Sequence, residues 1–288
     1  MSDPQIAPQG GEKVFVVTGA AGGLGWALVR ALENAYVSRG PLRFALIDVD
    51  ADALTARARE LELRGVGVNV FVADLSSETA VAELCTELRS SYARVDLLVN
   101  NAGITHRSLS TQTSNAVIRR VMAVDYHAPV ELAQGLMGEL STGSGCVVNI
   151  SSMAGWMPVL GRAGYCAAKS ALHQYFETFR EEVREEGVRV LMVYPSFVAT
   201  NIDKNALAGD GGRARHAQST IGQVRSADWM AKEIVRALVA GKERLFPRDK
   251  SLLGAYLYKL APKLFLRQMV KNFRVELEVA RADKLADG

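Results

Sequence analysis

Six short, mostly apolar runs constrain this chain more than any other feature, because a helical pattern separates each run from the next. Runs of this length are typical of strands that are buried on both faces of a parallel sheet. The runs are residues 14–17, 44–47, 68–73, 95–99, 146–150 and 188–193. Strand–helix alternation with short loops predicts one α/β domain, built on a doubly wound parallel sheet.

Composition and segment boundaries agree with a soluble globular protein. Hydrophobic residues make up 49% of the 288 residues and charged residues 23%, which is typical of a packed core. Residues 1–12 are polar and predict a flexible leader rather than a signal peptide. Residues 13–246 carry the alternating pattern and 247–288 form a tail. No apolar run is long enough to span a bilayer.

Charge, cysteines and histidines exclude several classes of function. The net charge of +3 is too small to indicate a nucleic-acid partner. Cys85, Cys146 and Cys166 are few and odd in number, which favours a reducing cytoplasm over secretion. The four histidines are scattered and no metal-like spacing occurs, so no bound metal is predicted.

A glycine-rich turn follows the first predicted strand and leads into a helical pattern. It begins at Thr18 and Gly19 and ends with Gly23, Leu24 and Gly25. Glycines in this context permit a tight turn and let the backbone approach a pyrophosphate at the helix N-terminus. The turn therefore predicts a dinucleotide site.

The second predicted strand ends in Asp48, about 20 residues after the glycines, where an acid can bind a ribose diol. A carboxylate at this place repels a 2′-phosphate, and no basic residue follows at positions 49–51. The cofactor prediction is therefore NAD, with NADP less favoured. Asp74, Asn100, Ser152 and Pro195 follow other strands, so they should reach the same edge of the sheet.

Tyr165 and Lys169 are four residues apart in a helical pattern, which places them on one face of a helix. A nearby ammonium favours phenolate, so we expect the pKa of Tyr165 to lie below its ordinary value of about 10. A phenol tuned in this way can take a proton from an alcohol or give one to a carbonyl. Ser152, at a strand end, could hold the reacting oxygen.

Four motifs together resemble the short-chain dehydrogenase/reductase family over about residues 13–246. They are the glycine turn, the run Asn100-Asn101-Ala102-Gly103, the thirteen-residue spacing from Ser152 to Tyr165, and the spacing from Tyr165 to Lys169. The resemblance implies a Rossmann fold with strand order 3-2-1-4-5-6-7 and a nicotinamide cofactor. It also implies a homodimer or homotetramer, assembled through helices near 115–140 and 165–186.

The resemblance also implies roles for individual residues. Asp74 and Leu75 would meet the adenine, and Asn100 the adenosine ribose, beside Asn101, Ala102 and Gly103. Lys169 would hold the nicotinamide ribose and lower the pKa of Tyr165, the acid/base, while Ser152 positions the substrate oxygen. Pro195 and Thr200 would meet the nicotinamide, with Thr200 bonding its carboxamide.

Two positions depart from the family pattern. Asp125 stands where the family usually has an asparagine that helps to hold a water beside the lysine. Aspartate keeps an acceptor but loses the amide donor, so we expect the proton relay to survive with a shifted pH profile. Ser196 replaces the usual glycine after Pro195, which should cost little unless that residue needs a positive φ.

Specificity is expected outside the motifs. In the family, the segment matching 197–225 covers the substrate, so we expect a lid there. Four residues are candidates for an apolar pocket wall, with ordinary core packing as the alternative. They are Trp156, Met157, Leu160 and Phe197. An apolar wall indicates a lipophilic alcohol or ketone.

The tail combines apolar and basic residues. Four basic residues recur every four positions, namely Lys259, Lys263, Arg267 and Lys271. Pro262 should break or bend a helix here. A segment of this kind, 250–274, either contacts an anionic membrane surface or docks on its own domain or on a neighbouring subunit.

The sequence thus favours an oxidoreductase that moves hydride between NAD(H) and a lipophilic secondary alcohol or ketone. Two alternatives stay open. One is an NADPH-dependent carbonyl reductase. The other is a catalytically idle NAD-binding scaffold or sensor, for which Asp125 is the single hint.

Overall fold

The strands form where the sequence places apolar runs. A computed structural model of the chain describes residues 11–214, 224–247, 249–274 and 278; most of the predicted leader and the end of the predicted tail lie outside them. The strands are β1 Lys13–Thr18, β2 Leu42–Asp48, β3 Gly67–Val72, β4 Leu97–Asn100, β5 Cys146–Ile150, β6 Arg189–Val193, β7 Phe197–Ala199, β8 Val224–Ser226 and β9 Arg244–Leu245.

Seven of these strands make one parallel sheet in the order β3-β2-β1-β4-β5-β6-β9. The predicted order is confirmed, with the two-residue β9 as the seventh strand. The short strands β7 and β8 pair with each other apart from the main sheet. They belong to the predicted lid, and residues 215–223 of that lid lie outside the described residues.

Helices connect the strands. They are α1 Gly23–Tyr36, α2 Ala51–Glu62, α3 Glu78–Ser91, α4 Asn115–Met122, α5 Ala128–Gly135, α6 Met137–Gly143, α7 Ala163–Glu182, α8 Ala227–Val239, α9 Lys250–Leu260 and α10 Pro262–Asn272. Side chains cap several N-termini; Asp50, for example, accepts a hydrogen bond from the Ala53 amide at 3.0 Å.

Two helix predictions need correction. The continuous helix expected at 115–140 is divided by a π-helical turn, Ala123–His127, and again at Leu136. The helix expected near 165–186 begins two residues earlier, at Ala163, and ends at Glu182. A tertiary contact supplies an acceptor at its start, and Gly187, at φ +74°, turns the chain after its end.

Both faces of the sheet are buried, which explains why the strand runs are continuously apolar. In β1, Phe15 and Val17 face one core, formed with α1 and α8, while Val14 and Val16 face the other. The second core lies against α3, α5 and α7 and includes Phe176. Two packed layers of helices therefore hold the sheet edge on which the polar residues converge.

The tail docks on its own domain. Phe265 and Met269 of α10, and Phe273 directly after it, are buried against Met157 and its neighbours. Pro262 separates α9 from α10, as predicted. The predicted four-residue basic stripe is interrupted, because Lys259, although exposed, places its Nζ 3.9 Å from the Trp156 ring centroid. Among the described residues, the helices include none that is long and apolar enough to cross a membrane.

Candidate active site

The glycine turn between β1 and α1 has no room for side chains. Gly19 and Gly23 adopt φ values of +64° and +56°, which favour glycine. A Cβ on Gly25 would stand 1.9 Å from the Gly19 carbonyl oxygen. A Cβ on Gly22, in contrast, would meet no heavy atom within 4 Å, so the backbone there faces open space. This cradle fits a pyrophosphate at the N-terminus of α1.

The turn after β4 is fastened to the glycine turn. The Thr18 hydroxyl accepts hydrogen bonds from the Asn101 and Ala102 amides, both at 3.0 Å. The Asn101 side-chain amide donates to the Thr18 and Gly19 carbonyls at 3.0 and 3.2 Å. The two motifs are 82 residues apart along the chain but form one rigid floor.

Asp48 lies at the edge of this floor. One carboxylate oxygen accepts from the Ala21 amide at 3.0 Å, and the other from the Val49 and Asp50 amides at 2.8 and 3.3 Å. Sequence reasoning missed Arg57 of α2, which lines the same cavity and donates from Nε to the Ala21 carbonyl at 3.2 Å. A cation therefore stands beside the predicted ribose acid.

Asp74 and Leu75 line the same cavity. The Ser76 amide and hydroxyl both donate to Asp74 Oδ1, at 2.9 and 2.7 Å, and these bonds hold the pKa of the carboxyl below its ordinary value. Asn100 is different: it is buried, and its side-chain amide donates to Asn149 Oδ1 at 2.9 Å, turned away from the cavity. The contact of Asn100 with an adenosine ribose therefore stays a prediction.

Ser152 follows β5 and Tyr165 lies in the first turn of α7, and both line the cavity. The Ser152 hydroxyl lies close enough to Tyr165 to lower the pKa of its phenol, and it also accepts a hydrogen bond from the Ala154 amide at 3.1 Å. Lys169 lies one turn further along α7, with its Nζ 5.8 Å from the Tyr165 ring centroid. That Nζ also donates to the Ile150 carbonyl at 3.0 Å. The three predicted catalytic side chains thus converge.

The predicted direction of the Tyr165 pKa is wrong. Burial raises the pKa of the phenol above its ordinary value, the Asp125 carboxylate raises it further, and the nearby Ser152 side chain opposes both. Desolvation of the buried phenol is the main physical reason. The Lys169 ammonium does not offset it, because its Nζ lies 3.7 Å from an anion, Asp125 Oδ2. Spacing along one helix did not reveal this counter-charge.

Asp125 sits in the π-helical turn and is fully buried, and such turns are frequent at functional sites. Its Oδ1 accepts from the Ile104 amide at 2.8 Å. Burial raises the pKa of the carboxyl to about 6, although Lys169 and the Ile104 amide both lower it. Asp125 and Lys169 lie behind Gly103, where a Cβ would be 3.2 Å from Asp125 Oδ1 and 3.6 Å from Lys169 Nζ.

One cavity of about 790 Å³ joins these parts. The predicted site residues that line it are Gly19, Gly23, Leu24, Asp48, Asp74, Leu75, Asn101, Ala102, Gly103, Ser152, Tyr165, Pro195 and Thr200. The predicted residues that lie behind its wall instead are Thr18, Gly25, Asn100, Asp125 and Lys169. The first group surrounds the space in which cofactor and substrate would meet. The second group supports these lining residues from behind.

Of the predicted apolar wall, Met157 and Phe197 line the cavity. Trp156 packs with Tyr194 and Phe246 in an aromatic cluster, and Leu160 packs against the tail. The tail adds a wall residue that the sequence did not indicate, Phe273. Lid residues Asn201–Asp203 also line the cavity, so the predicted substrate end has mixed polarity.

A buried histidine fastens the start of α7. His106 Nε2 accepts a hydrogen bond from the Gly164 amide at 2.9 Å, and its Nδ1 lies 3.1 Å from Ser108 Oγ. Because Nε2 accepts, the ring is neutral and carries its proton on Nδ1. Burial, and secondarily Arg162, lowers its pKa to about 4. No local pattern indicated this contact beside Tyr165, because 58 residues separate its partners.

Ser196 joins the tail to the site. Its φ is not positive, so the replacement of the family's glycine causes no backbone strain. Instead its hydroxyl donates to Asp249 Oδ2 at 2.6 Å, and Asp249 caps the N-terminus of α9. Among the described residues, no group of three or more potential ligands is arranged to hold a metal ion.

Comparison with known proteins agrees with this geometry. Residues 13–211 match the family model described as short chain dehydrogenase. The chain is 34% identical over 271 residues to dehydrogenase/reductase SDR family member 7B of Bos taurus, which covers 91% of this chain and 82% of that protein.

Two solved structures are also similar. A metagenomic short-chain oxidoreductase in complex with NADP is 29% identical, with a TM-score of 0.63, and the match covers 82% of this chain and 94% of that one. A short-chain dehydrogenase from Streptomyces avermitilis is 25% identical, with a TM-score of 0.70, and the match covers 95% and 99%.

Proposed function

Because the chain belongs to the short-chain dehydrogenase family, we propose that it transfers a hydride between NAD(H) and a lipophilic secondary alcohol or ketone. Family membership makes it an oxidoreductase that binds NAD(P) and acts on CH–OH groups. The observation that carries the proposal is that Ser152 and Tyr165 line one cavity together with the glycine turn.

The chain's own residues would divide the proton chemistry as follows. The Ser152 hydroxyl holds the substrate oxygen beside the Tyr165 phenol, which takes the proton of an alcohol or returns one to a ketone. A bound nicotinamide supplies or accepts the hydride. Lys169 acts on the phenol electrostatically from 5.8 Å, and the protonation state of Asp125 sets how much of that positive charge is cancelled.

Replacement of the tyrosine tests this role. Tyr165→Phe should lower kcat by at least about a thousandfold, the upper part of the range for acid–base catalysis, and leave NAD affinity within a few fold. Tyr175→Phe is the matched control, since this tyrosine is on the same helix and its hydroxyl bonds Gln134 away from the cavity. Equal turnover of the two variants would refute the assignment.

We propose NAD as the preferred cofactor because the Asp48 carboxylate, which lines the cavity at the end of β2, would repel a 2′-phosphate. A specific observation favours the alternative, NADPH: the Arg57 guanidinium lines the same cavity, and the 29% identical metagenomic structure contains NADP. Fluorescence titration of both cofactors against wild type, Asp48→Ala and Arg57→Ala separates the two. If the enzyme prefers NAD, Asp48→Ala should weaken NAD binding and strengthen NADP binding. If it prefers NADP, Arg57→Ala should weaken NADP binding.

The lipophilic substrate rests on Met157, Phe197 and Phe273 in the cavity wall. Alcohols and ketones of increasing chain length should show rising kcat/KM, because each buried methylene contributes about 0.8 kcal/mol. We propose oxidation as the physiological direction, since cells keep NAD mostly oxidised. A flat chain-length series would contradict the apolar pocket.

We further propose that the enzyme works in the cytoplasm as a homodimer or homotetramer, through the surfaces of α4, α5 and α7. Its three cysteines are free, which accords with a reducing compartment. Light scattering coupled to gel filtration gives the number of subunits. A monomer at all concentrations would contradict the oligomer.

A further inference from the structure

The outer face of α9 and α10 is unusually apolar. We define the tail face as the exposed apolar residues of these two helices, and the most exposed are Leu260 at 84%, Leu253 at 69% and Leu264 at 57%. The other members are Tyr256, Leu266 and Val270. Single exposed apolar side chains are ordinary, but a group of this size on adjacent helices marks an interaction surface.

The apolar residues of the tail face are not core residues exposed by loose packing of the two helices. On α9 its members recur at spacings of three and four residues, opposite the buried Ala255. On α10, Phe265 and Met269 already fill the inner face. The Ser196–Asp249 hydrogen bond and the Tyr258–Phe265 ring contact, with centroids 5.4 Å apart, hold both helices in place.

The same helices concentrate positive charge. Residues 249–274 contain six lysines and arginines and one carboxylate, a net charge of +5, whereas the whole chain carries +3. Lys263, Arg267 and Lys271 are exposed and recur every four residues along α10. Within the part of the chain that the structure describes, none of these three has a carboxylate within 4 Å, while Arg274 pairs with Glu278 at 3.6 Å.

Exposed apolar side chains interspersed with unmatched cations suit an interfacial helix on negatively charged lipid. We propose that α9 and α10 dock this protein, through the tail face, on the surface of an anionic lipid bilayer. A second copy of the chain fits less well, because a symmetric contact would bring two positively charged surfaces together.

Docking through the tail face also affects the site already described. Ser251 of α9 and Phe273, directly after α10, line the cavity that holds Ser152 and Tyr165. The bilayer would therefore lie close to one wall of that cavity. The docking itself does not depend on the proposed activity, and it can be measured without a substrate.

The test is flotation of the full-length protein with phosphatidylcholine vesicles and with vesicles that also contain phosphatidylglycerol. We expect binding to the anionic vesicles alone, with loss in about 1 M salt, where the Debye length is about 3 Å. The triple variant K263E/R267E/K271E should bind at least about 100-fold more weakly, since each basic residue near an anionic surface contributes about fivefold.

Two further variants decide what the effect means. R59E/K232E/K242E is the matched control, because it changes the net charge equally at exposed positions outside the tail, and it should retain most of the binding. L260S/L264S should weaken binding at unchanged charge, with the melting temperature verifying the fold. The proposal is overturned if wild type does not float with anionic vesicles or if both triple variants lose binding equally. It is also overturned if the only effect of L260S/L264S is to dissociate a concentration-dependent dimer, with vesicle binding unchanged.

Discussion

Replacement of Asp125 by asparagine tests the role of the site residue that departs most from the family pattern. The substitution keeps the size of the side chain and an acceptor for the Ile104 amide, which bonds Asp125 Oδ1 at 2.8 Å. It removes the only carboxylate that the structure places within 4 Å of Lys169 Nζ among the described residues. The pKa of Tyr165, which burial and then Asp125 hold above its ordinary value, should therefore fall.

The expected size follows from the distance between the charges. The Lys169 Nζ lies 5.8 Å from the Tyr165 ring centroid. At an effective dielectric constant of about 20, two unit charges at about this distance interact by roughly 3 kcal/mol. Since one pKa unit corresponds to about 1.36 kcal/mol, the uncancelled ammonium should lower the phenol pKa by up to about two units.

The assay is kcat/KM for alcohol oxidation as a function of pH. The limb that reports the Tyr165 phenolate should move towards lower pH in Asp125→Asn by one to about two units. Wild type should show a second inflection near pH 6, where Asp125 titrates, and the variant should lack it. Protonation of Asp125 removes the negative charge that opposes the Lys169 ammonium. The rate profile of wild type below pH 6 should therefore approach that of the variant.

Asp52→Asn is the control, because this exposed carboxylate lies in the first turn of α2, outside the cavity. Its pH profile should match that of wild type. An Asp125→Asn profile that superimposes on the wild-type profile would show that the carboxylate neither cancels Lys169 nor acts on Tyr165. A shift towards higher pH would reverse the sign of the electrostatic argument.

Three other outcomes are expected. Gly25→Ala should abolish NAD binding in calorimetry, because its Cβ would stand 1.9 Å from the Gly19 oxygen; unchanged affinity would disprove the tight cradle. His106→Phe should cost about 1–3 kcal/mol of stability, since the Gly164 amide loses a buried acceptor. It should also lower kcat by a larger factor than it changes KM. His106→Gln should rescue both stability and kcat, and equal defects in the two variants would argue against a positioning role. The pKa of Asp125 is raised to about 6 in the fold, so the stability linked to it is full below its ordinary pKa of about 4 and lost as pH rises through 6. Urea unfolding of wild type should therefore lose about 1 kcal/mol between about pH 5 and 8, a loss that Asp125→Asn should not show.

The sheet was predictable because its signal is local. Burial on both faces requires a continuous apolar strand, so each run in the sequence marks a strand, and helical connections between them allow only a parallel arrangement. The glycine turn was predictable for the same reason, because the backbone geometry within a few residues requires glycine at Gly19, Gly23 and Gly25. The pairing of Tyr165 with Lys169 follows from one turn of helix.

Only the tertiary structure decided the electrostatics and the supports of the site. The direction of the Tyr165 pKa depends on burial and on Asp125, which is 40 residues away in sequence. The His106 clamp and the Arg57 guanidinium likewise join residues that no local pattern connects. Side-chain periodicity reports which face of an element is buried, whereas a pKa or a hydrogen bond depends on distances between elements, and those are fixed only when the layers pack.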